Sequence, residues 1–369
     1  MSIVIPCLDE AENIGECVRR AFAALEENGI AGEVIVVDNG SVDGSGELAK
    51  DAGATVILEV RRGYGQAYLT GFEAAGGDYI VMIDADLTYD FAEIPRFVSE
   101  LDGGAQLVMG NRMDSIHPGA MSVLSRIGNP VLSGFLKLLH PTLVGDAHCG
   151  LRAVRRDVLR QLDLRSTGME FASEMVIRAG KVNLDVREVP IALHVRGGES
   201  KLSPFRDGWR HLRLILIYSP NALFVIPGVA LVVLGALVIV LVFAHVALFG
   251  RAFYVHTLIA GSALTIIGTQ VVGLGLCGRA YAVYVLGEGD RWIERMQGRL
   301  RLEHGLLLGL AIASAGLALV GIVVGIWIEH GFGTLGQERL AIVAMTFLVI
   351  GIQVFFTSFL LSLLGMRRG

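Results

Sequence analysis

Tyr79-Ile80-Val81-Met82-Ile83-Asp84-Ala85-Asp86 decides how this chain is read. The apolar run Tyr79 to Ile83 predicts a buried strand, so two carboxylates emerge at its carboxyl end, where open α/β sheets bind their ligands. Acids separated by one residue can jointly hold a hard divalent cation, and such a cation commonly bridges protein carboxylates to substrate phosphates. A D-x-D triplet also arises by chance, so the reading depends on its company.

That company is regular. Strand-like runs recur at Ser2 to Ile5, Glu33 to Asp38, Thr55 to Val60, Tyr79 to Asp84 and Gln106 to Met109. Between the first two, Ala11 to Leu25 places Ile14, Val18, Phe22 and Leu25 on one helical face. The alternation predicts an α/β domain with a mostly parallel, helix-covered sheet, Rossmann-like in architecture. Unusual residues gather at the strand ends: Pro6-Cys7-Leu8-Asp9-Glu10-Ala11-Glu12-Asn13, then Val37-Asp38-Asn39-Gly40-Ser41-Val42-Asp43-Gly44-Ser45, then Arg61-Arg62-Gly63-Tyr64-Gly65-Gln66-Ala67. Singly, each has a plain explanation. Asp9 or Asp43 could cap a helix, Asn39-Gly40 could make a turn, and two glycines do not establish phosphate binding. Arg152 and Arg155 could be solvated surface charges, and Glu170 and Glu174, at helical spacing, could either structure one side of a site or simply form one helix face.

The second half differs. Of 369 residues 53% are hydrophobic, and beyond Asn221 the sequence is dominated by long apolar stretches. Those near 223–248, 256–278, 305–328 and 340–364 are long enough to span a bilayer, which takes about 20 residues each. Few polar groups interrupt them (Gln270, Gln353, and His245 and His256 near the ends), so anchoring is a better reading than transport. Arg279, Arg291, Arg295, Arg299 and Arg301 crowd the second connection, and Arg367 and Arg368 the tail, against Arg251 and Arg339 in the other loops. By the positive-inside rule the second loop and both termini face the cytoplasm. Met1 leads straight into Ser2 to Ile5, leaving no room for a signal peptide. The segment 205–222, with Trp209, Tyr218 and several basic residues, suits a helix in the headgroup layer; a plain linker is the alternative. The expected organisation is a cytosolic domain over 1–204, this interfacial segment, and a membrane domain over 223–369. A formal charge of −5 gives no basic field for nucleic acid. Cys7, Cys17, Cys149 and Cys277 lack any C-x-x-C spacing and read as isolated thiols.

Together and in order, the strand-end residues resemble the family 2 glycosyltransferases with the A-type nucleotide-sugar fold (GT-A). More narrowly they resemble the polyprenyl-phosphate sugar synthases related to dolichol-phosphate mannose synthase. The similarity covers about 2–203. IPCLDEAENI matches the opening strand and turn, VVDNGSVDGS the second, RRGYGQA the glycine-rich segment and DADLTYD the metal motif. GNR (Gly110 to Arg112), SRIGN (Ser125 to Asn129), GDAHCGLRA (Gly145 to Ala153) and GGESKLS (Gly197 to Ser203) continue it.

The resemblance implies transfer of a hexose from a nucleotide diphosphate sugar to a polyprenyl or dolichyl monophosphate. It implies that Pro6, Leu8, Glu10 and Asp38 cradle base and ribose, and that Arg61 or Arg62 lies near the nucleotide. Asp84 and Asp86 would hold Mg²⁺ or Mn²⁺ against the diphosphate, Asp86 being central to catalysis. Arg112, Arg126, Arg196 and Lys201 would meet the lipid phosphate. Relatives often carry Gln where this chain has Thr88, which leaves a third protein ligand open. Direct attack by the phosphate would invert the anomeric centre. UDP-glucose is the favoured donor and GDP-mannose the next. The oligomeric state, a homo-oligomer included, is left open. Two alternatives stand beside this reading. A processive polysaccharide synthase normally shows Q-x-x-R-W before its channel, whereas here Trp209 follows Arg206-Asp207-Gly208. A non-catalytic nucleotide-sugar-binding module for membrane assembly or translocation would not require intact Asp84 and Asp86.

Overall fold

The computed structural model describes residues 1–113, 115–139, 144–197, 204–245, 247–248, 251–252, 254–284, 302–332 and 336–365. They form two compact units, Met1–Tyr218 and Ser219–Gly369.

In the first unit the strands are β1 (Ser2–Cys7), β2 (Glu33–Asp38), β3 (Thr55–Leu58), β4 (Tyr79–Met82), β5 (Leu107–Asn111), β6 (Arg152–Arg155) and β7 (Val186–Pro190). They make one sheet in the order β3-β2-β1-β4-β6-β5-β7. All neighbours are parallel except β6, which runs antiparallel to both β4 and β5. The helices are α1 (Ile14–Glu27), α2 (Ser45–Asp51), α3 (Tyr64–Ala74), α4 (Ile94–Asp102), α5 (Val123–Leu139), α6 (Arg156–Leu162), α7 (Phe171–Lys181) and α8 (Pro204–Ile217).

The central strands read as continuous apolar runs because both faces are covered. Successive side chains point to opposite faces. Ile3, Ile5, Val34, Val36 and Val81 pack with Ile14, Val18 and Leu25 of α1 and Phe97 of α4. Val4, Ile35, Val37, Ile80 and Met82 pack on the other side with Tyr68 of α3 and Phe171 and Met175 of α7. The expected mostly parallel α/β sheet is present. The antiparallel β6 is an addition with a consequence for the site. Arg152 pairs in register with Met82 on one side and Met109 on the other, so the residues just before it are delivered beside the end of β4.

The second unit contains four helices long and apolar enough to cross a membrane, Asn221–Phe243, Val255–Tyr284, Leu302–Glu329 and Glu338–Leu364. Within it, helices approach closely at glycines. A Cβ on Gly316 would lie 2.5 Å from the backbone nitrogen of Leu348, and one on Gly351 2.3 Å from that of Ala313. Small residues at such crossings let backbones pack where no hydrophobic effect drives them together.

Candidate active site

The carboxyl ends of β2, β1 and β4 lie side by side, and the residues singled out by sequence converge there. Cys7 pairs in register with Asp38, so the turns that follow the two strands are neighbours, and their side chains lace them together. Val42 N–H donates to Asp9 Oδ1 at 2.8 Å, Asp9 N–H to Ser41 Oγ at 2.9 Å, and Glu10 N–H to Ser45 Oγ at 2.8 Å. Asp43 accepts from the backbones of Ala11 and Ser45. Asp9 adopts φ of 49°, a left-handed conformation that Asp tolerates better than most residues. Asp38 accepts from Ser41 N–H at 2.9 Å, while Pro6 and Leu8 are half-buried on the β1 side.

The glycine-rich segment has a packing reason. A Cβ on Gly63, where φ is +151°, would lie 2.2 Å from the carbonyl oxygen of Thr167, and one on Gly65 2.2 Å from that of Ser166. Both glycines let the loop before α7 approach the start of α3. Asn39 closes the same corner, donating to the carbonyls of Glu59 and Arg61 and accepting from Gly63 N–H at 2.7 Å. Arg61 folds back onto Glu59, with contacts of 3.0 and 2.8 Å from its guanidinium. That arginine, with Thr70 and Gln66, holds the Glu59 carboxyl far below the usual range. Arg62 is exposed, with one long contact to the Gly40 carbonyl.

The two aspartates after β4 sit in different surroundings. Asp84 Oδ1 accepts from Tyr64 Oη at 3.0 Å and from Tyr68 Oη at 3.5 Å. Both tyrosines lie on α3 at i and i+4 spacing, hence on one face. Burial, followed by repulsion from Asp86, pushes the Asp84 carboxyl up to about 6. A cation needs the carboxylate, so cation binding at Asp84 weakens as pH falls below about 6. Asp86 is buried; its Oδ1 accepts from Thr88 N–H at 3.1 Å and Thr88 Oγ1 at 2.5 Å, and its Oδ2 meets Arg196 at 3.0 Å. Arg196 also contacts Glu10 Oε1 at 2.7 Å.

A divalent cation fits this donor set. The two hard carboxylates, two residues apart, repel one another, which favours a positive charge beside them, and Gly150 leaves room at the first, since a Cβ there would lie 2.2 Å from Asp84 Oδ2. Among the described residues no third His, Cys, Asp or Glu joins them. Thr88 spends its hydroxyl proton on orienting Asp86.

The basic residues are placed less uniformly. Arg112 is buried and fully engaged. It pairs with Asp146 at 2.8 Å and donates to Tyr89 Oη at 3.0 Å and to the His148 carbonyl at 2.8 Å. Tyr89 Oη in turn accepts from Gly150 N–H at 2.8 Å. Arg112 thus frames the loop against Asp84. Arg126 is exposed on α5 and is not brought to the aspartates by any contact among the described residues. Lys201 lies outside the described residues.

Three groups had a different look in the sequence. Arg152 is fully buried rather than on the surface, with its guanidinium on the carbonyls of Ala147, Cys149 and Ala172 at 2.8, 2.8 and 2.9 Å. Glu174 is buried and accepts from the backbones of Arg165 and Ser166 and from Tyr218 Oη. Tyr64 and Tyr68, which sequence reasoning did not single out, hold Asp84 by hydrogen bonds, and Gly150, tied to Tyr89 Oη, lies against its other oxygen. The tyrosine pair carried a readable signal in its helical spacing.

A buried polar cluster ties this loop to α8. Ser173 Oγ lies 2.8 Å from His211 Nδ1 and 3.3 Å from His148 Nε2. Burial drives the His148 imidazole well below 6.5 and that of His211 to about 4. Both rings are therefore neutral in the folded protein at pH values where the unfolded chain takes up protons. Stability should fall as pH drops from 6.5 towards about 4, by up to about 3 kcal/mol for His211 alone. Melting temperatures in detergent between about pH 7 and pH 4.5 check this; a flat profile would contradict it.

Residues 2–163 match the model of Glycosyl transferase family 2, and residues 276–365 that of the Glycosyltransferase family 2 C-terminal transmembrane region. Over 368 residues, 99% of this chain and 89% of the relative, the sequence is 42% identical to the low-salt glycan biosynthesis hexosyltransferase Agl6 of Haloferax volcanii. The chain is a family 2 glycosyltransferase. This membrane glycosyltransferase is also 32% identical, over 294 residues, to the undecaprenyl-phosphate 4-deoxy-4-formamido-L-arabinose transferase of Pseudomonas fluorescens, covering 75% of this chain and 83% of that one. Among solved structures, a mycobacterial protein aligns with a TM-score of 0.50 at 21% identity, over 59% of this chain and 74% of that one. That likeness concerns the fold of the glycosyltransferase alone.

Proposed function

We propose that this glycosyltransferase moves a hexose from a nucleotide diphosphate sugar to a polyprenyl monophosphate, with inversion, at the cytoplasmic face of a membrane. The observation that carries the reading is the Asp84–Asp86 pair at the end of β4, beside the turns after β1 and β2, in a chain that also bears four apolar spans. UDP-glucose is the favoured donor and GDP-mannose the next.

Mg²⁺ or Mn²⁺ held by Asp84 and Asp86 would neutralise the charge that develops on the departing diphosphate. The protein's own contribution is orientation. Tyr64 and Tyr68 fix the rotamer of Asp84, and Thr88 that of Asp86, so neither carboxylate must reorganise during transfer. Glu10 and Asp38, on adjacent strand ends, are suited to ribose hydroxyls. Arg61, anchored on Glu59, and Arg62 line the approach to that corner. The acceptor needs no general base, because the second pKa of a phosphate monoester is about 6 and the group is largely a dianion near neutrality. Arg196, beside Asp86, is assigned to the phosphates that would meet there, donor and acceptor alike; Arg126, exposed on α5, and Lys201 are assigned to the approach of the acceptor. Arg112 acts at one remove, by holding the loop that carries Gly150. The spans complete the logic: exposing a polyprenol tail to water costs about 0.8 kcal/mol per CH₂, so an enzyme that uses this acceptor benefits from carrying its own membrane anchor.

Membranes bearing the enzyme, incubated with a panel of labelled nucleotide sugars, should form an acid-labile glycolipid from one donor, UDP-glucose before GDP-mannose. Formation should stop with EDTA and return with Mg²⁺ or Mn²⁺. A long polymer, or no extractable lipid product from any donor, would overturn the reading.

A further inference from the structure

Asp86 is not an open ligand. Both oxygens of its carboxylate are engaged, one by Thr88 and the other by Arg196 at 3.0 Å. The guanidinium spans two acids from different parts of the chain, since its second nitrogen lies 2.7 Å from Glu10 Oε1. Its backbone is strapped down as well. Gly197 N–H donates to the Asp86 carbonyl at 3.0 Å, His194 N–H donates to the Thr88 carbonyl at 2.9 Å, and Asn13 Nδ2 donates to the Gly197 carbonyl at 2.9 Å. The fit is close: a Cβ on Gly197 would lie 2.2 Å from Asn13 Oδ1. The guanidinium also keeps a buried donor in reserve: Arg196 Nε makes no hydrogen bond among the described residues. Asp84 differs, for its direct partners are tyrosine hydroxyls.

We propose that Arg196 makes cation binding at Asp86 depend on the nucleotide, an inference that rests on the reading of this site as a metal-assisted donor site. A fixed positive charge on Asp86 Oδ2 repels a bare divalent cation and shares its ligand. A nucleoside diphosphate changes the balance, because its oxygens take up the cation and also offer acceptors to the guanidinium, including its unspent Nε–H. Arginine suits this exchange, since its planar fork can satisfy a carboxylate and a phosphate oxygen together. Arg196 therefore opposes metal alone and favours metal with diphosphate.

The test is Mn²⁺ binding to the purified full chain in detergent, read by electron paramagnetic resonance with and without UDP. Relative to wild type, R196Q should bind Mn²⁺ alone about tenfold more tightly and Mn²⁺ with UDP about tenfold more weakly, a sign reversal that loss of structure does not produce. R196K, which keeps the charge but cannot span Glu10 and Asp86, should fall between the two, and melting temperatures report whether each variant is folded. If either R196Q or R196K weakens both equilibria, or leaves both unchanged, the inference fails while the donor site stands. If the wild type binds no Mn²⁺ even with UDP, the donor site and the inference fall together.

Discussion

Asp86→Asn is expected to reduce sugar transfer by at least about 10²–10³-fold, the loss typical when one preorganised electrostatic contact to a developing charge is removed. The substitution keeps nearly the same shape, and its amide oxygen can still accept from Thr88. It removes the negative charge and turns an NH₂ towards Arg196, which now lies 3.0 Å from Asp86 Oδ2. Cation binding should collapse with activity. The fold should survive, because Asp86 lies at the end of β4 and outside both apolar clusters. Transfer from a labelled donor, beside a melting curve, checks both halves: retained turnover in a folded variant would overturn the role given to Asp86.

Gly150→Ala should also be damaging, although it alters no charge. Its methyl would meet Asp84 Oδ2 at 2.2 Å and Tyr89 Cε2 at 3.1 Å. The carboxylate cannot simply swing away, since Tyr64 and Tyr68 hold its other oxygen. Overpacking of this kind costs about 1–3 kcal/mol, and here the displaced group is a metal ligand. Mn²⁺ affinity and transfer should therefore both fall by about tenfold or more. Gly128→Ala is the matched control. A Cβ there meets nothing within 4 Å, and replacing glycine inside a helix tends to stabilise by about 0.5–1 kcal/mol. Equal behaviour of the two variants would contradict the packing argument.

The strands β1, β2, β4 and β5 were legible because coverage of both faces forces continuous apolar runs, and the exposed edge strand β3 because Thr55 to Leu58 is still apolar and β-branched. β6 was not. Arg152-Ala153-Val154-Arg155 carries a charge at each end, and burial of the first depends on three carbonyls brought to it by the fold. No local pattern announces that. Edge strand β7, with Arg187 and Glu188 in its middle, is hidden for the same reason.

The site followed a similar division. Asp84, Asp86, Glu10 and Asp38 stood out because they end strands, and strand order brings those ends together. What the arginines do depended on partners far away in sequence. Arg112 meets Asp146, and Arg196 meets Glu10; neither pairing is implied by spacing. The glycines at 63 and 65 were too few to establish phosphate binding from sequence, and their packing role could not be read there either: their space is taken by the carbonyls of Thr167 and Ser166, a contact that exists only once α7 has packed beside α3.

The most direct test of the central claim is an anomalous difference map of the enzyme crystallised with Mn²⁺ and UDP. A single strong peak about 2 Å from a carboxylate oxygen of both Asp84 and Asp86, bridging to the diphosphate, is the predicted result. A nucleotide bound at the ends of β1 and β2 with the manganese elsewhere, or both aspartates turned from it, would contradict the account.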